Sequence, residues 1–247
     1  MFEAKISNAK YWRDCVESIV NLVDEGSFTI SSEGISLRAM DPSSISMVSF
    51  FIPSKAFEKY DVEKNTSVGL NLENLSKVLS RTRDNESLVM KDTNGKLLLE
   101  FIGENSRRRY KLPMIDIRKN VEKEPNVEFD ATAEVAGDPL KEIIKDASLI
   151  SSYVAFKASK DELVINAHGD SGELEELHGV DGSIVKKLKA DKGADVTFNL
   201  EYLENIVKAC PMGSSMSISM KTNEPLKVSY NIGDASVTYY LAPYIES

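Results

Sequence analysis

The amino-acid sequence predicts an α+β fold made of two similar domains, each carrying two helices on antiparallel sheets. Three observations lead to this prediction. Helical spacing of apolar residues occurs four times, segments that alternate apolar and polar residues outnumber the helical ones, and the whole pattern occurs twice along the chain. The 247 residues are enough for two domains of about 120 residues each.

The clearest sign of duplication is a helical segment that occurs twice. SVGLNLENLSKVL is repeated as DVTFNLEYLENIV, and an offset of 128 residues aligns the two copies. The same offset holds back to Arg13, which falls on Lys141. Beyond the helix the offset becomes 129, so that Tyr110 falls on Tyr239, as an insertion in a loop would produce. A repeat of this length predicts two homologous halves.

Each half begins with an amphipathic helix and a pair of strands. The apolar residues fall at spacings of three and four over residues 8–23 and again over 138–150. The strand pair that follows turns at Glu33-Gly34 in the first half and at Lys160-Asp161 in the second.

Each half then continues with a second helix and closes with hairpins. The second helix is predicted over residues 72–83 and 200–210, and Pro211 marks its end in the second copy. The hairpins turn at Asn94-Gly95 and at Thr222-Asn223.

A polar segment separates the two halves. Residues 115–130 are largely charged or polar and contain Pro125, which predicts an extended linker. The domains are therefore predicted at residues 1–114 and 131–247.

The composition excludes several classes of protein. The two cysteines, Cys15 and Cys210, are too few for a disulfide framework and fit a reducing compartment. No stretch approaches the roughly 18 uninterrupted apolar residues of a membrane span, and the first residues lack the apolar run of a signal peptide. A net charge of -9 argues against binding of nucleic acid over the whole surface but leaves room for a local basic face.

The four predicted helices are less acidic than the rest of the chain. Their basic and acidic residues cancel, so the remaining residues carry the whole net charge of -9. An ordinary solvated surface explains this pattern as well as a DNA-binding surface does, because acids such as Asp14 and Glu142 lie among the cations. The candidate cations on the polar helix faces are Lys10, Arg13, Lys77, Arg81, Arg83, Lys141, Lys145 and Lys208.

Two candidate edge strands of opposite charge suggest self-association. If they pair head to tail between copies of the chain, the contact is heterologous and closes into a ring where the rotation permits. Surface strands whose charges prevent pairing are an equally good interpretation. The basic strand contains Arg107, Arg108, Arg109 and Tyr110, and the acidic one contains Glu173, Glu175 and Glu176.

The sequence contains no recognisable catalytic motif. His168 and His178 are not spaced as metal ligands, and the phosphate-binding, dinucleotide-binding and serine-nucleophile motifs do not occur. We therefore predict no catalytic residue, no metal and no cofactor.

Five short segments of the chain are distinctive: MFEAK at the start, GISLRAMDPSSISMV, GLNLENLSKVL, KLPMID and the ending YYLAPYIE. Their order on a duplicated chain of this length resembles the proliferating cell nuclear antigen family, the sliding clamps of archaeal and eukaryotic DNA replication. The resemblance covers essentially the whole chain with few gaps.

The resemblance implies a function and a set of partners. Clamps of this family are processivity factors for DNA polymerase: three subunits form a pseudo-six-fold ring that encircles duplex DNA without sequence preference, with helices lining the hole and sheets outside. The implied partners are a replicative DNA polymerase, a flap endonuclease, a DNA ligase and an ATP-dependent clamp loader in DNA replication and repair. The implied location is the cytoplasm of an archaeal cell, or the nucleus of a eukaryotic one.

The resemblance also assigns residues to two surfaces. Arg13, Lys77, Lys145 and Lys208 match the family's lining of the hole, whereas the other four cations come from the helix faces alone. Asp14, Val20, Ser80 and Glu201 stand where eukaryotic relatives often carry basic residues. The positions matching the family's client-peptide pocket are Met40, Ile45, Met47, Pro225, Tyr240, Leu241, Ala242, Pro243, Tyr244 and Ile245, with Val121, Pro125 and Val127 of the linker.

Two rival functions belong to other classes of protein. A protein-binding scaffold would bind clients without encircling DNA. A metal-dependent nuclease would use some of the 39 acidic residues to hold its ion.

Overall fold

The computed structural model describes residues 1–117 and 123–245, and within them the chain forms four α-helices and eighteen β-strands. Every helix predicted from periodicity is present, and each ends before the last residue predicted for it. After the first helix the apolar periodicity continues into the turn, where Leu22 and Val23 are buried without being helical. The helices are α1 (Ala9–Val20), α2 (Leu72–Leu79), α3 (Gly137–Ser148) and α4 (Leu200–Lys208).

The strands fall into two sets of nine, one in each half of the chain. In the first half they are β1 (Phe2–Ile6), β2 (Glu25–Ser31), β3 (Gly34–Met40), β4 (Ser46–Pro53), β5 (Lys59–Val62), β6 (Thr66–Asn71), β7 (Ser87–Thr93), β8 (Lys96–Ile102) and β9 (Arg107–Pro113). In the second half they are β10 (Ala131–Ala136), β11 (Tyr153–Ala158), β12 (Glu162–Gly169), β13 (Gly172–Gly179), β14 (Val185–Ala190), β15 (Ala194–Asn199), β16 (Ser215–Met220), β17 (Leu226–Ile232) and β18 (Ala235–Leu241).

The strand orders confirm the duplication. In the first half the strands lie in the orders β5-β1-β7-β8-β9 and β4-β3-β2-β6. In the second half the orders are β14-β10-β16-β17-β18 and β13-β12-β11-β15. Each strand of the first half corresponds to the strand nine positions later in the chain. With this correspondence, the two strand orders of the first half become those of the second.

The strand register also confirms the change of offset from 128 to 129. Met90 pairs with Leu99 in the first half, and Ile218 pairs with Val228 in the second. The extra residue therefore lies in the turn between β16 and β17. The corresponding turn of the first half is the two-residue Asn94-Gly95, whose φ angles of 49° and 74° are those of a tight hairpin turn.

The apolar stripe of each helix is buried, and this directs its polar face to solvent. α1 packs on α2, and α3 packs on α4. In the first half Trp12 lies within 6.4 Å, centroid to centroid, of the rings of Phe28, Phe50 and Phe57. Burying a large side chain of this kind contributes about 2–3 kcal/mol.

The described chain divides into two compact units that follow the two halves with two exceptions. Residues 43–47 are grouped with the second unit, and residues 232–237 are grouped with the first. The bounds 1–114, 115–130 and 131–247 remain predictions.

Candidate functional site

Asparagine side chains fix the beginning of three helices that carry candidate cations. Asn8 Oδ1 accepts a hydrogen bond from the Lys10 amide at 3.0 Å, and Asn71 Oδ1 accepts one from the Asn74 amide at 2.8 Å. Asn199 caps α4 in the same way. These caps satisfy amide groups that the first turn leaves without partners. The eight candidate cations lie at exposed or half-buried positions on the helices or in the loop after α2.

In the first unit, carboxylates neutralise several of these cations. Arg13 donates to Asp14 Oδ1 at 2.7 Å. Lys77 Nζ lies 3.1 Å from Glu73 Oε2, one turn away on α2. Lys10 pairs with Asp84, and its ammonium group holds the pKa of Asp84 below its usual value.

Arg81 and Arg83 differ from those cations. Both are exposed beyond the end of α2, and neither guanidinium has an ion-pair partner among residues 1–117 and 123–245. The loop that carries them is fixed by its backbone, because the Arg83 amide donates to the carboxylate of the buried Glu86 at 2.8 Å. Their charges are therefore available to a polyanion.

The candidate cations of the second unit also differ in whether they have partners. Lys145 Nζ lies 2.7 Å from Glu142 Oε1, and this hydrogen bond raises the pKa of Lys145. Lys141 donates to the backbone oxygen of Cys210 at 2.6 Å, so its ammonium group holds α3 to the residues just after α4. Lys208 is exposed and has no ion-pair partner in the part of the chain that the structure describes.

The tail after β18 brings part of the predicted client surface together within the second unit. The Ala242 amide donates to the oxygen of Ile45 at 2.9 Å, and the Tyr244 amide donates to that of Thr197 at 2.8 Å. The Tyr244 ring stacks on Tyr153 with a centroid separation of 4.0 Å. Tyr153 was not predicted for this surface, because no local pattern marks it.

Burial divides the predicted client residues into two kinds. Ile45, Met40, Tyr244 and Ile245 are exposed, and Pro225, Ala242 and Pro243 are half-buried. Met47, Tyr240 and Leu241 are at most 5% exposed, so their side chains support the surface from the core. Met40 belongs to the first compact unit.

The linker contributes one contact that the sequence did not predict. The Tyr240 hydroxyl donates to Glu124 Oε2 at 2.8 Å. Of the predicted linker residues, Pro125 is exposed and Val127 is half-buried, whereas Val121 lies outside the described residues. Glu124 carries no signal of its own in a polar segment.

The two charged strands lie at the ends of their strand orders, with β9 outermost in the first half and β13 outermost in the second. On β9, Arg107 and Arg109 are exposed, and both lie within 3.5 Å of Glu100. Arg108 instead points to the side that carries Phe101, 5.0 Å from its ring, and pairs with the buried Glu86 at 2.6 Å.

The neighbouring Tyr110 also lies on the side of Phe101, with its ring edge-on to that of Phe101. On β13, Glu173 and Glu175 are exposed, whereas Glu176 is half-buried beside His178. Each strand therefore presents its charges Arg107 and Arg109, or Glu173 and Glu175, on its exposed face.

Among residues 1–117 and 123–245, no group of three or more His, Cys, Asp or Glu side chains is arranged to hold a metal ion. No helix within those ranges has the length and apolar character required to span a membrane.

Comparison with known proteins gives consistent matches over the whole chain. The family model for the N-terminal domain of proliferating cell nuclear antigen matches residues 1–123, and the model for its C-terminal domain matches residues 123–245. A protein of Thermofilum pendens named DNA polymerase sliding clamp is 33% identical over 241 residues, which is 97% of each chain. A protein of Thermococcus gammatolerans with the same name is 31% identical over 246 residues, which is 99% of each chain.

Among solved structures, the crystal structure of proliferating cell nuclear antigen from Thermococcus kodakaraensis matches with a TM-score of 0.93 at 26% identity. The match covers 99% of this chain and all of the other.

Proposed function

The chain belongs to the proliferating cell nuclear antigen family, and from this premise we propose that it is a DNA polymerase sliding clamp that encircles duplex DNA. The observation that carries the proposal is the family's match across both halves of a chain whose halves repeat one strand order. We further propose that it performs no chemistry of its own and acts in the cytoplasm.

The ring is proposed to be a homotrimer closed by β9 of one subunit against β13 of the next. Both strands end their strand orders, and such edges carry unpaired backbone groups that another chain can bind. The exposed charges support the pairing, since Arg107 and Arg109 would lie beside Glu173 and Glu175 of the neighbouring copy. A head-to-tail contact of this kind repeats until the ring closes.

The dimensions of such a ring suit duplex DNA. Twelve helices about 10 Å apart form a circle roughly 38 Å across between helix axes, which leaves a hole of roughly 28 Å once the thickness of the helices is subtracted. The groove depths of the duplex imply a diameter on the order of 20 Å. DNA would therefore pass through with room for water.

Loose contact of this kind is what sliding requires. Phosphate contacts carry no sequence information, so a clamp held by them alone moves along the duplex. Arg81, Arg83 and Lys208, which have no ion-pair partner in the described ranges, are proposed to supply most of the attraction. The cations that pair with carboxylates are proposed to supply less, namely Lys10, Arg13, Lys77 and Lys145. Lys141 is proposed to act mainly by holding α3 to the end of α4.

Clients are proposed to dock by a short peptide on the surface formed by the tail, the linker and Ile45. Anchoring a client to a ring that cannot leave the DNA raises its effective concentration there and so its processivity. The proposed clients are the replicative polymerase, a flap endonuclease and a DNA ligase, and an ATP-dependent loader is proposed to open the ring.

Retention on DNA of different topology tests the function. After loading by the loader, the clamp should remain on nicked circular DNA and be lost once the circle is cut. Equal retention on both forms would support a scaffold that does not encircle DNA. A mass in solution of about three times 27.4 kDa would support the trimer.

A separate incubation tests the nuclease alternative. Plasmid incubated with the protein and magnesium should stay intact, and cleavage that depends on the metal would overturn the claim of no catalysis.

A further inference from the structure

A buried ion pair lies beneath the loop that connects α2 to β7. Glu86 is 3% exposed and the Arg108 side chain is 20% exposed, so water reaches little of either charge. Arg108 Nη2 donates to both carboxylate oxygens of Glu86, each within 2.9 Å. Hydrogen bonds between two charged groups are among the strong ones in proteins, so the pair forms a firm point of attachment.

The same two side chains hold the backbone of the loop at Arg81 and Arg83. Arg108 Nη2 also donates to the backbone oxygen of Arg81 at 3.1 Å. The Arg83 amide donates to Glu86 Oε2 at 2.8 Å. The pair therefore holds the two residues whose own guanidinium groups have no ion-pair partner among residues 1–117 and 123–245.

Two further sets of contacts restrain the loop less. The Arg81 and Thr82 amides continue the hydrogen bonds of the helix end, which are local. Lys10 pairs with Asp84, but the two side chains are 41% and 81% exposed, and exposed pairs contribute little. The buried ion pair is therefore the stronger attachment, and it joins the loop to β9, the strand that carries Arg108.

The aligned loop of the second half closes without these side chains. Ser214 corresponds to Glu86, and its backbone oxygen accepts the Gly137 amide at 2.8 Å, a bond that Glu86 also makes to the start of α1. Pro211 corresponds to Arg83 and has no amide that a carboxylate could accept. Closure of the loop therefore does not require an ion pair, and the pair occurs in the half whose loop carries the two arginines.

We propose that Glu86 and Arg108 are positioning residues for DNA contact, because they hold the loop in the conformation that directs Arg81 and Arg83 to the phosphates of the duplex. The inference rests on the proposed role of the two arginines and adds how they are held. Both positioning residues act from within the protein and do not touch DNA themselves. A loop that is ordered before binding loses less entropy on binding, so it binds more tightly than a loose loop of the same charge.

The double variant Glu86→Ser with Arg108→Val tests the proposal, because it leaves both loop arginines in place. It removes one charge of each sign, so the net charge stays at -9. Affinity for a short labelled duplex at about 0.15 M salt, measured by fluorescence anisotropy, should fall about fivefold, as on the loss of one phosphate contact. Wild-type affinity in a variant that is folded by circular dichroism would overturn the proposal.

Glu86→Gln is a milder variant, since it keeps the size of the side chain. It makes the net charge less negative, so general electrostatics alone would raise the affinity for DNA. Loosening of the loop should instead lower the affinity, about twofold. An unchanged or raised affinity would contradict the positioning role.

A double-mutant cycle determines whether the ion pair acts through the arginines. Arg81→Ala with Arg83→Ala removes the groups that the pair holds. Adding Glu86→Ser and Arg108→Val to that variant should cause no further loss of affinity, whereas two independent effects would multiply. A further fivefold loss in that background would show that the pair does not act through the arginines and would overturn the proposal.

The second half offers a matched control. Glu134→Ser with Lys187→Val removes an ion pair of 2.9 Å between β10 and β14, also without a change of net charge. This variant should bind the duplex as the wild type does, and a loss equal to that of the Glu86 and Arg108 variant would refute the proposal.

The mass in solution separates loop position from ring assembly, because Arg108 lies on the strand proposed to close the ring. The Glu86→Ser and Arg108→Val variant should have the mass of the wild-type assembly. A smaller mass together with weaker binding would overturn the proposal, since a weakened subunit interface would then explain the loss. Binding of a short duplex needs no loader, so failure here is distinguishable from failure of the clamp function, which retention of the wild type on nicked circular DNA tests.

Discussion

The two halves of the molecule share one scaffold but differ in the loop after the second helix. In the first half this loop carries Arg81 and Arg83, both exposed and unpaired within the described chain. The aligned residues of the second half are Ala209 and Pro211, followed by Met212, which is 91% exposed. Because the strand order and register are the same around both loops, the fold does not require these charges. They are a specialisation of the first half.

A second difference lies beneath the same loop. Glu86 is 3% exposed and accepts two hydrogen bonds from Arg108 Nη2, at 2.6 and 2.9 Å. The aligned residues in the second half are Ser214 and the fully buried Val237. One copy of the scaffold therefore uses a buried ion pair where the other uses small and apolar side chains.

Removing Glu86 tests this comparison with the largest expected effect. Glu86→Ala leaves the guanidinium of Arg108 mostly buried without its carboxylate. Breaking a buried ion pair lowers the free energy of unfolding by several kcal/mol. Since the Arg108 side chain is 20% exposed and water can partly solvate the remaining charge, we expect a decrease of about 2–4 kcal/mol. The shift of the urea midpoint of the full chain measures it.

The second half provides the control for that experiment. The double variant Glu86→Ser and Arg108→Val copies its residues into the first half and removes both charges together. It should recover most of the lost stability, because replacing a buried ion pair by apolar groups is often close to neutral. A single variant as stable as the wild type would show that the ion pair is not required.

The charge difference between the loops predicts the next largest effect. Arg81→Ala with Arg83→Ala removes two cations that have no partner among the described residues. If each contacts one phosphate, the salt dependence of binding to a short duplex should lose about two units of slope, and affinity at about 0.15 M salt should fall roughly 30-fold. Anisotropy at several salt concentrations measures both quantities.

A variant with the same loss of charge elsewhere separates local from general electrostatics. Lys64→Ala with Lys160→Ala removes two exposed cations from strand-connecting loops. It should leave the slope nearly unchanged. An equal decrease of the slope in both double variants would mean that DNA binding depends on the net charge of the protein rather than on the charges of this loop.

An aromatic pair shared by both halves predicts a smaller effect. Tyr230 and Tyr239 have their hydroxyl oxygens 2.8 Å apart, and the Tyr230 hydroxyl donates to the oxygen of Ile206. The aligned pair of the first half, Phe101 and Tyr110, makes ring contact only edge-on. Tyr239→Phe should therefore cost about 1 kcal/mol, measured by the urea midpoint.

Tyr110→Phe is the matched change in the first half. It should alter the free energy of unfolding by less than about 0.5 kcal/mol, as ordinary surface substitutions do. A larger loss for Tyr110→Phe than for Tyr239→Phe would contradict the assignment of the hydroxyl bond.

These comparisons also show which features a sequence reveals. The helices, the hairpin turns and the duplication follow from periodicity and from the fixed offset, which are local or repeated signals. Pairing of cations is only partly local. Lys77 and Lys145 pair with carboxylates about one turn away, whereas Lys10 pairs with Asp84 and Lys141 donates to the backbone oxygen of Cys210 across long stretches of chain. The sequence predicted which residues are cationic but could not tell which of them are already neutralised. The stacking of Tyr244 on Tyr153 escaped prediction because it depends on how the tail lies on β15.

The reactivity of the two cysteines towards a thiol reagent tests burial in each half. It is the smallest of the effects that we predict. Burial raises the pKa of the Cys210 thiol to about 11, and burial with the nearby Asp14 raises that of Cys15 well above its usual value. Since the thiolate is the reactive form, a raised pKa slows reaction with a thiol reagent at pH 8. Cys210 should therefore be labelled slowly, and Cys15 more slowly still.

The pH dependence follows from the same shift. Below a pKa of about 11 the thiolate fraction of Cys210 rises about tenfold for each pH unit, so its labelling rate should rise by that factor from pH 8 to 9. The variants Cys15→Ser and Cys210→Ser, followed by mass spectrometry, assign each rate to its residue. Labelling of Cys15 before Cys210 would contradict the order of burial, because the helix packing that encloses Cys15 in α1 would then open more readily than the turn after α4.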